Sequence, residues 1–166
     1  MIKKLLSITF LLALSAASVL AQQKTDYSGT WKLNVSKSDF GPLPAPDSRT
    51  DVITQKEPAI TNHVVSEGQQ GKLDYTVNYS TDGKEVTNTV ADRVSKSTAK
   101  WDAKNLVVNT KLKFNDMDVD VVATWVLAAD GKTLTINAHI TSTMGEVDQK
   151  LVFEKQEGAA APAAKP

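Results

Sequence analysis

The segment KLDYTVNY, residues 72–79, alternates polar and apolar side chains at every step. The segment TLTINAHI, residues 133–140, does the same. Successive side chains of an extended strand point to opposite faces, so this pattern gives one apolar face and one polar face. Both segments are therefore predicted to be half-buried β-strands, with one face on a core and the other in water.

Eight further segments alternate less regularly and bring the predicted number of strands to ten. They are residues 29–33, 52–56, 60–66, 86–91, 95–101, 106–114, 119–127 and 147–154. Asp82-Gly83 and Asp130-Gly131 are each followed by Lys and flanked by strand patterns, which is the sequence signature of a β-hairpin. The fold class is predicted to be all-β, an antiparallel up-and-down β-barrel of about eight to ten strands, because closing a meander removes its exposed edges. A two-sheet β-sandwich is the alternative.

The first 21 residues have the layout of a secretory signal peptide. Lys3 and Lys4 precede an apolar run that ends in Val19-Leu20-Ala21, and small residues at this point suit signal peptidase. The predicted organisation is a signal peptide over residues 1–21, a barrel domain over residues 22–157 and a disordered Ala/Pro tail over residues 158–166. The sequence therefore predicts a periplasmic or secreted protein, with no transmembrane segment after signal cleavage.

The composition argues against disulfide bonds and against nucleic acid as a partner. The chain contains no cysteine, so the fold takes no support from disulfides. Removing the signal peptide takes two of the 19 basic residues and none of the 19 acidic ones, which leaves a net charge of −2. Arg49 and Arg93 are the only arginines. Nucleic acid is not expected as a partner, because a phosphate-binding surface needs clustered basic residues.

The stretch DYSGTWKLN, residues 26–34, followed by SDF at residues 38–40, resembles the opening of lipocalins and fatty-acid-binding proteins, whose first strand carries a Gly-x-Trp signature. The chain is also similar to small bacterial secreted lipocalin-like proteins, which share the Trp-to-DGKTLT hairpin present at residues 125–135. The resemblance to this calycin superfamily covers about residues 27–155. It implies that Gly29 and Trp31 form a structural motif, with Trp31 closing one end of the barrel.

Two departures from the fatty-acid-binding proteins limit what the resemblance implies. Those proteins have a helix-turn-helix lid after the first strand, whereas residues 41–46 read GPLPAP and three prolines prevent a helix there. The family's carboxylate-binding Arg-x-Tyr near the C-terminus is also missing. Any lid is therefore expected to be an extended loop, and no fatty-acid carboxylate site is carried over.

Five residues are candidates for a ligand pocket. Tyr75, Tyr79 and Trp125 combine an apolar body with one polar group, although the same side chains would also suit a filled core. Phe40 stands at the start of the segment 40–46, where the cavity is expected to open. Arg93 is the candidate partner for an anionic head group, with a surface ion pair as its alternative role.

Neither a metal site nor a catalytic site is predicted. Asp116, Asp118 and Asp120 resemble the start of a calcium loop, but Val121 stands where the turn needs Gly. The two histidines lie far apart in the sequence and lack ligands at zinc spacing. No Gly-x-Ser-x-Gly motif marks a nucleophile. The protein is therefore predicted to need no cofactor and not to be an enzyme.

Three function classes fit a small exported β-protein. The first, which we favour, is non-covalent binding or transport of a small apolar or amphipathic ligand by a monomer. The second is a non-enzymatic structural or protein-interaction module of the periplasm with a filled core. The third is an outer-membrane barrel, which the nine aromatic residues of the mature chain and its polar end disfavour.

Overall fold

The computed structural model describes residues 24–69 and 71–158, which form ten antiparallel β-strands. The strands are β1 Gly29–Leu33, β2 Ser48–Lys56, β3 Ala59–Gly68, β4 Gly71–Ser80, β5 Val86–Val90, β6 Arg93–Asp102, β7 Asn105–Phe114, β8 Met117–Leu127, β9 Thr133–Ser142 and β10 Gly145–Lys155. The described residues contain no α-helix, only a 3₁₀ turn at Val35–Lys37. None of their helical segments has the length and apolar character needed to cross a membrane. The predicted signal peptide, and the predicted tail beyond Gly158, lie outside the described residues.

The ten strands form one sheet in the order β4-β3-β2-β1-β10-β9-β8-β7-β6-β5. The short strand β1 joins the two halves of the chain, because Trp31 is opposite Asp51 of β2 on one side and Lys155 of β10 on the other. The two edge strands, β4 and β5, face each other, so the sheet is rolled into a nearly closed barrel. The up-and-down barrel predicted from the sequence is confirmed, and the sandwich is excluded.

The barrel has one seam, between β4 and β5, where the described residues form no backbone ladder. Asn88 of β5 bridges the seam with its side chain, which hydrogen-bonds to the backbone of Asn78 of β4. The prediction that Asp82-Gly83 closes a hairpin is therefore wrong. These residues do turn the chain, but Asp82 pairs with Lys100 of β6, because β4 and β5 are the two edges that meet when the sheet rolls up. Asp130-Gly131 does close the predicted hairpin between β8 and β9.

An aromatic cluster fills one end of the barrel, which we call the filled end. Tyr27 is stacked on Trp101 at 6.0 Å and meets the edge of Trp125 at 5.6 Å. The Tyr27 hydroxyl donates to the backbone oxygen of Trp125 at 2.8 Å, and the indole Nε1 of Trp31 donates to the backbone oxygen of Tyr27 at 2.8 Å. Both of these polar groups have partners, so the hydrogen bonds offset the cost of burying Tyr27 and Trp31.

The Gly-x-Trp motif has a local physical cause. Gly29 has φ +138°, and a Cβ atom added there would lie 2.8 Å from Cε of Lys155. The absence of a side chain lets Lys155 cross this point, and its ammonium then lies 5.2 Å from the centroid of the Trp31 ring. Trp31 is fully buried. The motif therefore joins the first strand to the last one at the filled end.

Candidate ligand-binding site

The inward-facing side chains leave a cavity of about 220 Å³ inside the barrel. A second cavity of about 340 Å³ lies at the other end, which we call the mouth, and it shares Arg49, Tyr75 and Leu151 with the first. Because these three residues border both spaces, the two cavities are adjacent. The outer cavity by itself lies within the range of roughly 300–1,000 Å³ typical of small-molecule sites, and the inner cavity is smaller.

The wall of the inner cavity is mainly apolar and aromatic. Its remaining lining residues are Asn62, Val64, Val77, Tyr79, Val108, Thr110, Val121, Ala123, Trp125 and Ile136. Several of them, such as Val77 and Val121, face inward and yet stay half-buried instead of buried. Their exposed surface is turned to the cavity, so the barrel interior is not filled by side chains along its whole length.

Three polar residues on β2 and β3 form one cluster beside this wall, in which Asp51 and Asn62 are buried and the Arg49 side chain is 23% exposed. Arg49 donates from Nε to Oδ1 of Asp51 at 2.7 Å and from Nη2 to Oδ2 at 2.8 Å. Asn62 donates from Nδ2 to Oδ2 of the same carboxylate at 2.8 Å. Arg49 and Asp51 are two residues apart on one strand, so both side chains point to the same face. The spacing of Arg49 and Asp51 along β2 therefore brings the two side chains together.

The charge of Arg49 is maintained inside the barrel. Burial alone lowers the pKa of the guanidinium, but the charge and hydrogen bonds of Asp51 outweigh burial and raise that pKa above its ordinary value. The guanidinium also lies 5.3 Å from the centroid of the buried Phe153 ring, a cation–π contact. Arg49 is therefore a fixed, charged group at the junction of the two cavities.

Tyr79 gives the inner cavity a neutral polar group. Its ring meets Trp125 edge to face at 5.8 Å. Burial raises the pKa of the Tyr79 hydroxyl well above its ordinary value, more than the nearby charge of Arg49 lowers it. The hydroxyl consequently stays protonated at neutral pH and can donate or accept a hydrogen bond.

The mouth is bordered by the loop after β1 and by the turn between β3 and β4. The lining residues of the outer cavity include Phe40, Pro44 and Pro46. The loop is held to β10, because Asp39 and Lys150 exchange two backbone hydrogen bonds and the side chain of Gln149 donates to the backbone oxygen of Phe40 at 3.1 Å. The segment contains no α-helix, but it is not extended throughout: residues 40–43 make a turn, in which Leu43 donates its backbone N–H to the backbone oxygen of Phe40 at 3.2 Å. The segment borders the mouth as a loop.

The structure brings together four of the five pocket candidates. Tyr75, Tyr79 and Trp125 line the inner cavity, and Phe40 lines the outer one. Arg93 borders neither of these two cavities. It is the exposed first residue of β6, and its guanidinium lies 4.6 Å from the centroid of the Phe114 ring.

Sequence reasoning missed Arg49, Asp51 and Asn62. The one signal in the sequence was spacing, since Arg49 and Asp51 lie on the same face of β2 as the apolar Ile53. The two histidines are outside this site. His63 pairs with Asp74 and His139 with Asp148, each at 2.8 Å, on the outer surface of the sheet. Residues 24–69 and 71–158 contain no group of three or more side chains that could hold a metal ion.

Comparison with known proteins agrees with this architecture. No protein-family model matches the chain, and no curated protein matches it. An abundant heat soluble (SAHS) protein from Ramazzottius varieornatus is similar in structure, with a TM-score of 0.60, 13% identity, and coverage of 78% of this chain and 95% of that one. The chain has a calycin-like barrel fold.

Two further solved structures share this calycin-like barrel. Human cRBP IV has a TM-score of 0.53 and 19% identity, over 80% of this chain and 99% of that one. The zebrafish ileal bile acid-binding protein, solved in complex with cholic acid, has a TM-score of 0.52 and 12% identity, over 78% of this chain and 98% of that one. At such identities the likeness concerns the fold alone.

Proposed function

We propose that this protein binds a small apolar or amphipathic ligand non-covalently inside its barrel, in the periplasm or outside the cell. The observation that carries the proposal is the pair of adjacent cavities, with an apolar inner wall and the Arg49–Asp51–Asn62 cluster at its border. An apolar ligand body gains roughly 25 cal/mol for each Å² removed from water. A few polar groups then fix its orientation.

The neighbours in fold support this proposal. The zebrafish protein carries cholic acid, a small amphipathic molecule, in its crystal structure. A barrel of similar fold and comparable length can therefore bind such a ligand. In the present chain the aromatic groups Tyr79 and Trp125 would contact the apolar part of the molecule.

The protonation states of Arg49 and Tyr79 suit a binding role. General acid–base catalysis works best with a group whose pKa lies near the working pH. Both Arg49 and Tyr79 have pKa values raised above their ordinary values, so each keeps its proton at neutral pH. Both groups are therefore suited to hold and orient a ligand.

The decisive experiment compares two substitutions at adjacent positions of β8. Val121 lines the inner cavity, whereas Val122 is exposed on the outer face. Val121→Phe places a ring in the cavity, and Val122→Phe adds the same ring outside. We expect decanol to bind the unsubstituted protein and Val122→Phe saturably, with intrinsic tryptophan fluorescence as the readout, and Val121→Phe to bind at least about tenfold more weakly.

Two outcomes would overturn the proposal. One is equal affinity of the two variants for decanol, which would place the binding site outside the barrel. The other is the lack of saturable binding by the unsubstituted protein to decanol and to a bile acid. The protein-interaction module would then be the better interpretation.

The proposed export has its own test. Expression in the native host, followed by fractionation and N-terminal sequencing, should give a mature chain that begins at Gln22 in the periplasm or medium. Recovery of the uncleaved chain from the cytoplasm would overturn this part of the proposal.

A further inference from the structure

The positive charge of Arg49 is already neutralised inside the barrel. Asp51 accepts two hydrogen bonds from it and is itself 1% exposed. The paired geometry matches the planar fork of a guanidinium to both oxygens of a carboxylate, which is the strongest arrangement of these two groups. The pair brings no net charge to the cavity.

Because the Arg49–Asp51 pair is neutral, it does not favour a ligand with an anionic head group. A ligand carboxylate at Arg49 would be a second anion on a single cation, so one negative charge would remain buried without a partner. Burying an unpaired charge is strongly unfavourable. Among the described residues, Arg49 is the only cationic one that lines either of the two adjacent cavities, and Glu67 at the mouth adds another negative charge. The electrostatics therefore disfavour an anionic head.

The cluster still offers hydrogen-bond donors. Arg49 uses Nε and Nη2 for Asp51, and its Nη1 amino group has no hydrogen bond to a described residue, so it can donate to a ligand acceptor. A neutral carbonyl or hydroxyl oxygen suits this donor without adding charge. Arg49 borders both cavities, so an acceptor on the ligand can reach it from either side.

The cluster also contains an acceptor that lacks a donor. Asn62 is 2% exposed and borders the inner cavity, and its Oδ1 atom has no hydrogen-bond partner among the described residues. The orientation of the amide is fixed by chemistry, because the Asp51 carboxylate accepts only and must face the Nδ2 group. A buried acceptor without a partner costs about 1–3 kcal/mol. An N–H or O–H of a ligand would supply the missing donor.

We infer that the site selects amphipathic ligands whose head group is neutral and carries both a donor and an acceptor, such as a primary amide or an alcohol. This inference rests on the proposed function and names the ligand class of the same site. The acceptor of the head group meets Arg49, and its donor meets Asn62. The apolar chain lies along the inner wall beside Tyr79 and Trp125.

The test uses probes with one alkyl chain and different heads: decanamide, decanol, methyl decanoate and decanoate. At about pH 7 the last of these is an anion, and the methyl ester accepts hydrogen bonds but donates none. We expect decanamide to bind about tenfold more tightly than decanoate, with the ester between them. Equal or tighter binding of decanoate would overturn the inference while leaving the proposed function intact. If no probe binds, the proposed function itself fails.

Substitutions at Asn62 and Asp51 test the two interactions of the head group separately. Asn62→Leu should remove the preference for decanamide over methyl decanoate, because only the donor of the amide needs Asn62. Asp51→Asn should strengthen decanoate binding, because Arg49 then lacks its counter-ion. Asp120→Asn, which removes the same charge from the exposed outer face of β8, is the matched control and should change neither preference.

Each variant can contradict the inference on its own. Retention of the amide preference in Asn62→Leu would show that Asn62 does not meet the head group. Should Asp51→Asn fail to fold, the unsubstituted protein and Asn62→Leu still give a complete comparison. A folded Asp51→Asn that binds decanoate no better than Asp120→Asn would overturn the electrostatic argument.

Discussion

The side-chain amide of Asn88 makes the two hydrogen bonds with Asn78 that a neighbouring strand would otherwise make. Its Oδ1 accepts from the backbone nitrogen of Asn78 at 2.7 Å, and its Nδ2 donates to the backbone oxygen of Asn78 at 3.0 Å. Asn88 is buried at the seam between β4 and β5. The Asn88 side chain thus supplies two hydrogen bonds to the β4 backbone at the seam, where β4 and β5 form no backbone ladder.

Replacing Asn88 should open this seam. Asn88→Ala removes both hydrogen bonds, each worth about 1 kcal/mol, so we expect a loss of about 2 kcal/mol in the free energy of unfolding measured with urea. Amide hydrogen exchange at Asn78 should become faster. Thr89→Ala, on the exposed face of the same strand, should stay within about 0.5 kcal/mol of the original. Equal losses in both variants would contradict this role of Asn88.

Gly29→Ala should destabilise the protein more than Gly145→Ala. Both glycines have positive φ, +138° and +125°, but only the Cβ at Gly29 would meet another residue, Lys155. The shared backbone strain costs about 1–3 kcal/mol. At Gly29 the displaced ammonium would also lose its contact with Trp31, worth about 0.5–1 kcal/mol. In a Lys155→Met background this excess should disappear from thermal unfolding curves, and its persistence would point to another cause.

Tyr27 should make the protein less stable in alkaline solution. Burial raises the pKa of its hydroxyl from 10.0 to about 12, against smaller lowering by hydrogen bonds to Leu106 and Thr25. Between these values the unfolded chain loses the proton and the folded chain keeps it. Its stabilising effect is therefore complete below pH 10.0 and is lost as the pH rises towards about 12. Tyr27→Phe should flatten this decline in urea unfolding measurements, and an unchanged decline would exclude Tyr27 as its source.

His139 should titrate above its ordinary value on the outer face of β9. The hydrogen bond to Asp148 raises the pKa of His139 from 6.5, and the charges of Asp148 and Glu146 act in the same direction. Its contribution to stability is thus present below pH 6.5 and is lost as the pH rises through the folded-state pKa. Asp148→Asn should lower this pKa in an NMR titration, whereas Asp74→Asn, beside His63, should leave it unchanged. The reverse result would contradict the pairing.

The strands could be predicted from the sequence because most of them follow a simple alternation. Residues 72–79 and 133–140 are strands with their apolar side chains turned inward. The pairing of β4 could not be predicted in the same way. Asp82-Gly83 and Asp130-Gly131 have the same local chemistry, yet only the second closes a ladder. A dipeptide specifies a turn, whereas closure of the whole sheet determines which strands become its edges.

The polar cluster escaped prediction because β2 does not follow the usual pattern. The inward positions of this strand are Arg49, Asp51, Ile53 and Gln55, of which three are polar. Sequence reasoning assigns such a face to solvent. For the same reason the sequence favours Arg93 as the cation of the pocket, although the structure places it at the exposed start of β6. Burial of an arginine depends on a partner that only the folded sheet makes evident.

The order of the strands in the sheet makes the chain suitable for circular permutation. Strands β5 to β10 and then β1 to β4 follow one another across the sheet without interruption. Gln156, just after β10, donates its backbone N–H to the backbone oxygen of Thr30 in β1 at 2.8 Å. A circular permutant that joins residues 158 and 24 through a short linker and begins at Gly83 would therefore be a purely sequential meander. Its new ends would lie at the seam, where no backbone ladder is cut.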